Sequence, residues 1–352
     1  MDLYTVGLIG CGRIASLLEQ ETRRENPNTH AGCYDYCDRT RIVAAADRSD
    51  ERRQAFGVRW DVSGSGLYAN WQEMLDAKDL DIVSVCTYPI PHRDMVVAAA
   101  QSGVKAIFCE KSMAVTLREA DEMIDVCQKN NVKLSINHGR RWDWQYRKIK
   151  ELIDQQVIGS LQAMALQYRA GLANNGTHYF DMLRFFAGDV AWAMGRLANP
   201  DALDSQGSGY FQFQSGVECI VNGSSGANGQ HLFELIGSKG RITVGNIRPP
   251  EFRIFVDGKE EAFPEVPEDQ KVNTFGAGRC VIPLSVIEIV ESLDQDQDTV
   301  STGHDGRAAL EMVLSFHESE RLGNARVDFP MQNLDISVLV REDEFISSAV
   351  PQ

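Results

Sequence analysis

The amino-acid sequence predicts an α/β domain on a parallel sheet followed by an α+β domain on a large, mostly antiparallel open sheet. Three observations carry this expectation. At 352 residues the chain exceeds the roughly 250–300 at which one hydrophobic core stops growing, which calls for two domains. Through residue 137, short apolar runs alternate with stretches of helical spacing, the pattern of β-α-β units. From about residue 160 the pattern becomes one of longer alternating strands joined by hairpin turns. The expected division is therefore 1–137 and 138–352.

In the first part, Tyr4 to Ile9, Ile42 to Ala46, Ile82 to Cys86, Ala106 to Cys109 and Lys133 to Ile136 are apolar runs that read as strands. Trp71 to Ala77, Arg93 to Ser102 and Leu117 to Asn130 carry helical spacing between them. In the second part, Leu161 to Arg169, His231 to Gly237 and Arg241 to Val244 read as strands. Hairpins are expected over Tyr210 to Ser225, turning at Ser215-Gly216, and over Glu251 to Phe263, turning at Asp257-Gly258. Together they form an open meander with one face on helices and the other free to meet a second subunit. A homo-oligomer, dimer or tetramer, is expected through that sheet. Residues 305 to 323 return to helix, and Val327 to Gln352 carry no assignable pattern.

Composition removes several classes of function. With 43% hydrophobic and 24% charged residues the chain has the make-up of a folded globular protein. Its 35 basic and 50 acidic residues leave a net charge of −15, so a phosphate lattice or an anionic bilayer repels it, and neither nucleic acid nor membrane is an expected partner. The N-terminus enters a strand-like run without a basic region and apolar core, and no apolar stretch approaches the ~18 residues of a span, so a cytoplasmic protein is expected. The eight cysteines are scattered, several inside strand-like runs, and read as buried free thiols. Cys33 and Cys37 are too few for a structural metal, which normally takes about four ligands, and no metal is expected.

The segment from Val6 to Ala15 sets Gly10 and Gly12 immediately after the first strand, with a helix expected to open behind them. Gly10 permits the tight turn, Gly12 lets backbone approach a pyrophosphate, and Ala15 lets the helix pack closely on the sheet. Cys11, Arg13 and Ile14 complete this dinucleotide-binding turn. Asp47 closes the second strand, where a carboxylate accepts hydrogen bonds from the adenosine ribose and repels a 2′-phosphate, favouring NAD over NADP. Arg48 beside it is the residue able to pair with a 2′-phosphate. The spacing from Gly12 to Asp47 is 35 residues, where about 20 is usual, because Glu21 to Arg41 holds an apparent insertion.

Three further motifs follow in order. Thr87, Pro89 and His92 form a turn and histidine ahead of a helix. Cys109-Glu110-Lys111-Ser112 ends the fourth strand-like run. Asn174, Asn175, His178 and Asp181 open an apolar helix in the second part. With the glycine segment, they resemble the Gfo/Idh/MocA oxidoreductases, the family of glucose-fructose oxidoreductase and inositol dehydrogenases, over nearly the whole length. The resemblance implies a Rossmann domain, with Thr87, Pro89, His92, Glu110 and Lys111 on the cofactor side and the segment around His178 on the substrate side. Two departures stand out. Asn174 occupies the position where many members have an aspartate, and Ser112 replaces the usual proline. Because a cis bond before a residue other than proline costs about 2.5–4 kcal/mol, a different backbone is expected after Lys111.

Oxidising an alcohol requires loss of its O–H proton as a hydride leaves the same carbon. Lys111, at a strand end, is suited to stabilise the developing alkoxide or exchange its proton. His178 and Asp181, three apart on a helix, place a carboxylate where it fixes the imidazole tautomer. Asn174 and Asn175 offer hydrogen bonds to a hydroxyl. Arg140, Arg141 and Trp142, at the crossing into the second domain, suit either a polyhydroxylated ligand or a hinge, and Tyr168 lies on the approach to His178. The expectation is an NAD-dependent sugar or cyclitol dehydrogenase acting on a small polyhydroxylated substrate. The alternatives are an NAD-using redox-assisted glycosidase or lyase, and a non-catalytic NAD-binding sensor.

Overall fold

A computed structural model describes residues 3–21, 26–223, 231–245, 251–268 and 281–338. The chain forms two compact units, the first of Met1–Ala114, Glu119–Trp142 and Gly278–Gly306, the second of Val115–Arg118, Asp143–Ala277 and Arg307–Gln352. The expected division after 137 thus falls five residues early, and residues 278–306, expected in the second part, belong with the first. The reason is packing: a late helix, α8 (Ile282–Gln295), returns to lie on α1 (His30–Tyr36).

The first unit is a six-stranded parallel sheet of β1 (Tyr4–Ile9), β2 (Thr40–Ala46), β3 (Leu67–Tyr68), β4 (Ile82–Val85), β5 (Ala106–Cys109) and β6 (Lys133–Ile136), in spatial order β3-β2-β1-β4-β5-β6. Strands buried on both faces need continuous apolar runs, and β4 and β5 are buried at every position. The connecting helices are α1, α2 (Asp50–Arg59), α3 (Trp71–Ala77), α4 (His92–Gln101) and α5 (Leu117–Lys129). The strand order reverses between β1 and β4, which opens a crevice at their carboxyl ends.

The helix expected to open behind the glycines is split. One turn forms, with Ser16 N–H on the Gly12 carbonyl (3.0 Å) and Leu18 N–H on that of Arg13 (3.0 Å), and a short 3₁₀ turn follows at Leu17–Gln20. The helix resumes only at α1, where the N–H groups of His30 and Ala31 reach back to the carbonyls of Ile14 (3.0 Å) and Ala15 (2.9 Å). In an unbroken α-helix those carbonyls receive the N–H groups of residues 18 and 19, so the chain makes a detour of about twelve residues and rejoins the same helical register. That accounts for most of the long spacing between Gly12 and Asp47. Glu19 holds the junction: its Oε1 accepts from Asn28 N–H (2.8 Å), Thr29 N–H (3.0 Å) and the Thr29 hydroxyl (2.8 Å).

The second unit is a nine-stranded sheet in the order β14-β13-β12-β11-β7-β10-β9-β8-β15. Its strands are β7 (Leu161–Tyr168), β8 (Val190–Leu197), β9 (Gly207–Phe213), β10 (Glu218–Asn222), β11 (His231–Gly237), β12 (Gly240–Gly245), β13 (Glu251–Val256), β14 (Lys259–Glu261) and β15 (Val327–Asp328). Both expected hairpins form, as β9–β10 and β13–β14, the second turning at Asp257 and Gly258 with positive φ at both. The simple meander does not. β10 returns to pair parallel with β7, which sits between β10 and β11.

The inner face of this sheet is apolar and is covered by α6 (Trp144–Asp154), α7 (Thr177–Ala187) and α9 (Gly303–Arg321). Phe180 of α7 meets Phe211 edge-on at 5.0 Å, and Phe316 of α9 stacks on Phe211 at 4.9 Å. Gly195 makes room for that ring, since a Cβ there would lie 2.3 Å from Phe316 Cγ. Residues 327–338 of the segment unplaced by pattern are held by distant partners: Arg118 N–H donates to the Leu334 carbonyl (3.1 Å) and Val338 N–H to that of Val115 (3.1 Å). Among the described residues no helix is long and apolar enough to cross a membrane.

Candidate functional site

In the first unit the candidate residues lie along one edge of the parallel sheet. Register aligns Ala46, Ile9, Val85, Cys109 and Ile136 across five strands. The residue after each is Asp47, Gly10, Cys86, Glu110 and Asn137. The ladder continues one step into this row, with N–H donation from Gly10 to Ala46 (2.7 Å), Cys86 to Ile9 (2.8 Å), Glu110 to Val85 (2.9 Å) and Asn137 to Cys109 (2.9 Å). Backbone bonding therefore fixes where each of these side chains starts.

Gly10 has φ +94°, a conformation that favours glycine, and a Cβ there would sit 3.0 Å from the Cys86 carbonyl oxygen. At Gly12 a Cβ would meet nothing within 4 Å, so the backbone there borders open space of the kind a pyrophosphate needs. Asp47 ties the loop to the next turn: Oδ2 accepts from Cys11 N–H (2.8 Å) and Oδ1 from Ser49 N–H (2.8 Å), leaving each oxygen a further lone pair. Arg13 pairs with Glu21 at 2.7 Å, Arg48 is exposed, and Ile14 gives its carbonyl to the split helix. Cys11 is buried and its thiol is pushed far up by desolvation, so it acts through its backbone N–H. These features fit a dinucleotide.

Glu110 is buried and accepts from His30 Nε2 (2.9 Å) and Asn137 Nδ2 (2.6 Å) on one oxygen. Burial alone would raise its pKa. The His30 hydrogen bond, the Lys111 charge and the Asn137 hydrogen bond together outweigh it and hold the carboxyl below its usual range. Lys111 follows at the strand end, half-buried, and, contrary to the expectation drawn from serine in place of proline, the Lys111–Ser112 peptide is cis. His92 is wholly buried, with Nδ1 3.0 Å from the Ser112 carbonyl oxygen and Nε2 3.1 Å from that of Thr87. Desolvation lowers its pKa against the pull of those carbonyls and of Glu110. As a neutral imidazole it carries a single N–H and donates to one of the two carbonyls, packed between the Thr87 turn, which includes buried Pro89, and the backbone after Lys111.

Trp142 and Arg141, which suit either a ligand or a hinge by sequence, have structural partners in the first unit. Trp142 is 2% exposed, donates its Nε1–H to Glu288 and meets Phe108 edge-on at 6.3 Å. Arg141 donates to the Val300 carbonyl (3.1 Å) and pairs with Asp305 at 3.2 Å. Arg140 is buried beside them in sequence.

In the second unit, His178 is half-buried in the first turn of α7, and Asp181 one turn on is fully buried. Asn174 and Asn175 are exposed on the preceding turn, Leu172–Gly176. Asp204 fixes that turn, accepting from Ala173 N–H (2.8 Å) and Asn174 N–H (3.0 Å), and Gly171 leaves it space, since a Cβ there would lie 2.0 Å from Asp204 Oδ2. Tyr168, expected on the substrate side, is a core residue: its phenol donates to the Gly207 carbonyl (3.2 Å) and its ring packs on Tyr179 (5.4 Å) and Phe180 (6.2 Å). Residues 269–280, to which the sequence assigns no element, lie outside the described residues. His30, Asn137 and Asp204 were absent from the candidate list. Among the described residues no group of three or more His, Cys, Asp or Glu is arranged to hold a metal.

A parallel sheet that reverses order beside a glycine turn, with an aspartate closing the second strand, defines a dinucleotide-dependent enzyme fold. Comparison with known proteins narrows the class. Residues 4–138 match the oxidoreductase family with an NAD-binding Rossmann fold, and residues 146–243 match the Gfo/Idh/MocA C-terminal domain. The chain belongs to the Gfo/Idh/MocA oxidoreductase family. It is 28% identical over 346 residues to a D-apiose dehydrogenase of Paraburkholderia graminis, covering 90% of this chain and 87% of that protein. It is 26% identical over 267 residues to a myo-inositol 2-dehydrogenase of Thermotoga maritima, covering 69% and 75%. In fold it is similar to the aldose-aldose oxidoreductase of Caulobacter crescentus, solved with glycerol, at a TM-score of 0.79 and 17% identity over 94% of this chain and 100% of that one.

Proposed function

We propose that this protein is an NAD-dependent dehydrogenase that moves a hydride between the cofactor and a secondary hydroxyl or ketone of a sugar, glycoside or cyclitol. The observation that carries the reading is the edge row in which Asp47, the Gly10–Gly12 turn and Glu110–Lys111 stand at the carboxyl ends of β2, β1 and β5 of one NAD-binding sheet. The names of the sequence relatives, an apiose and an inositol dehydrogenase, support the substrate class. The bound nicotinamide supplies the acceptor or donor of the hydride. The Asp47 carboxylate orients the adenosine ribose and disfavours a 2′-phosphate, so NAD is the cofactor.

Lys111 is the residue we assign to the reacting oxygen. The ionised Glu110 beside it favours its ammonium form, which stabilises an alkoxide as it develops or returns a proton to a carbonyl oxygen. His178 is assigned to the hydroxyl proton, with Asp181 setting its tautomer and Asn174 and Asn175 orienting substrate. Lys111→Ala is expected to lower kcat by about 10²–10⁴-fold, the usual contribution of a positioned acid–base group, while the Kd for NAD stays within about threefold; unchanged turnover would remove Lys111 from the reaction.

The compartment we infer is the cytoplasm, in keeping with six buried free thiols among the described residues. A second copy of this chain is the partner we infer for the outer face of the nine-stranded sheet. There Met194, Tyr210, Ile220 and Ala165 stand in register across β8, β9, β10 and β7, and Ile220 is 64% exposed. Beyond them the face carries Glu234 paired with Arg241 (3.3 Å), together with Glu251 and Arg253. A surface with small, apolar and both charged types suits a self-complementary contact. Light scattering should give a dimer or larger, and Ile220→Glu should yield monomer; a monomeric wild type would exclude the partner.

A further inference from the structure

The detour that splits the first helix is not spent on the surface. It delivers His30, at the start of α1, into the interior beneath the edge row. Every neighbour of that imidazole is defined. Its Nε2 lies 2.9 Å from Glu110 Oε1, its Nδ1 lies 2.7 Å from Ser84 Oγ, and its ring tilts against Phe108 with centroids 4.5 Å apart. The Tyr34 hydroxyl donates to Ser84 Oγ at 3.3 Å, and Asn137 Nδ2 donates to the same Glu110 oxygen at 2.6 Å. Tyr34, Ser84 and His30 are fully buried.

Donor and acceptor roles in this chain follow from chemistry. An ionised carboxylate only accepts, so Nε2 carries a proton and donates to Glu110. With the proton on Nε2, Nδ1 is the acceptor for the Ser84 hydroxyl, whose oxygen in turn accepts from Tyr34. The series Tyr34 to Ser84 to His30 to Glu110 is satisfied at every step in one direction and ends on the residue next to Lys111.

We propose that His30 is a positioning residue for Lys111: it clamps Glu110 from below the sheet edge, and Glu110 fixes both the backbone and the negative charge adjacent to the lysine. The inference rests on the dehydrogenase reading for the role of Lys111, but the clamp itself belongs to the ligand-free chain. Adjacent strand residues point to opposite faces, so Glu110 acts on Lys111 through the shared peptide and through charge. The groups facing Glu110 are His30 from α1, Asn137 after β6, the Cys86 thiol after β4, Cys109 and Lys111 on its own strand, and His92 from α4. The thiols of Cys86 and Cys109 are pushed well up by burial, so the hydrogen bonds from His30 and Asn137 and the charge of Lys111 are what keep Glu110 ionised.

Two measurements test this. Imidazole nitrogen NMR of the ligand-free protein should find His30 with its proton on Nε2; a neutral ring protonated on Nδ1 alone cannot donate to Glu110 and overturns the clamp. Steady-state kinetics should then compare His30→Phe, which keeps the packing on Phe108, with His30→Gln, which keeps an N–H donor for Glu110. The phenylalanine variant is expected to lose kcat by about 10- to 100-fold, as for one charge-assisted hydrogen bond, with NAD Kd held within about threefold. The acid limb of its kcat–pH profile should move up by about one unit, because Glu110 loses the partner that keeps it ionised, and glutamine should restore most of both. Equal losses in the two variants with an unmoved profile would mean that His30 only fills space. A wild type that binds NAD and oxidises no polyol fails the reading of the function instead, and the NMR result then decides the clamp alone.

Discussion

Substituting alanine at the two glycines of the nucleotide turn separates folding from binding, because the structure gives the two positions opposite surroundings. At Gly10, φ of +94° places a Cβ in a region that costs an L-residue about 1–2 kcal/mol. The same Cβ would stand 3.0 Å from the Cys86 carbonyl oxygen and 3.2 Å from Thr87 Cγ2. These neighbours are a strand-end backbone and a β-branched side chain, which adds roughly 1 kcal/mol of overpacking at the low end of the usual range. Gly10→Ala should therefore destabilise the first unit by about 2–3 kcal/mol, a fall in its melting transition of roughly 4–12 °C at 2–4 °C per kcal/mol for a domain of this size. At Gly12 the Cβ meets nothing within 4 Å and φ is not positive, so Gly12→Ala should leave ligand-free stability within about 0.5 kcal/mol. It places a methyl group where pyrophosphate must approach, and NAD affinity should drop at least tenfold, about 1.4 kcal/mol. Calorimetric melting without ligand and NAD titration on both variants make the test. Gly12→Ala melting as low as Gly10→Ala, or binding NAD like the wild type, would refute the assignment of the open space to the cofactor.

Asp47→Asn leaves one of two backbone N–H groups, Cys11 or Ser49, without its oxygen and removes the charge that repels a 2′-phosphate. NAD should bind about 10- to 100-fold more weakly, for a loss of 1–3 kcal/mol, and the preference over NADP should narrow; parallel Kd measurements with an unchanged preference would exclude Asp47 as its source. In the second unit, His317 is half-buried, its Nε2 is buried and finds no hydrogen-bond partner among the described residues, and desolvation pushes its pKa down to about 4. A depressed histidine stabilises fully above its unfolded pKa of about 6.5 and loses that contribution as pH falls toward 4, at most about 3 kcal/mol. The melting temperature of that unit should therefore decline from pH 6.5 to 4 and flatten in His317→Leu; identical slopes would show that another group governs the acid limb.

The parallel sheet was legible because doubly buried strands must be apolar throughout: β1, β5 and β6 fall where their runs begin and end. α2 was not, since its Asp-Glu-Arg-Arg opening buries only Phe56 and Gly57 and leaves no apolar stripe to detect. α8 did carry a signal in Ile282, Val286, Ile289 and Val290, but periodicity cannot say which domain a helix joins. The same limit explains β7, whose placement between β10 and β11 depends on long-range pairing. Among site residues, the glycine turn, Asp47 and Lys111 announce themselves by position relative to strand ends. Tyr168 and Trp142 did not reveal that their polar atoms are already bound, because Gly207 and Glu288 are remote in sequence. His30 was hidden by the detour that brings it under Glu110; its only local sign was a histidine after the Thr29 cap.

The central claim is that this edge of the sheet holds NAD for the oxidation or reduction of a polyol. Following reduced nicotinamide and substrate consumption together, with NAD and NADP against a panel of inositols, free sugars and glycosides, tests it most directly. The account predicts NADH formed one-for-one with the loss of one polyol, and faster with NAD than with NADP. Substrate cleaved without NADH accumulating, or tight NAD binding with no substrate consumed, would contradict it, the first in favour of a redox-assisted lyase or glycosidase and the second in favour of a sensor.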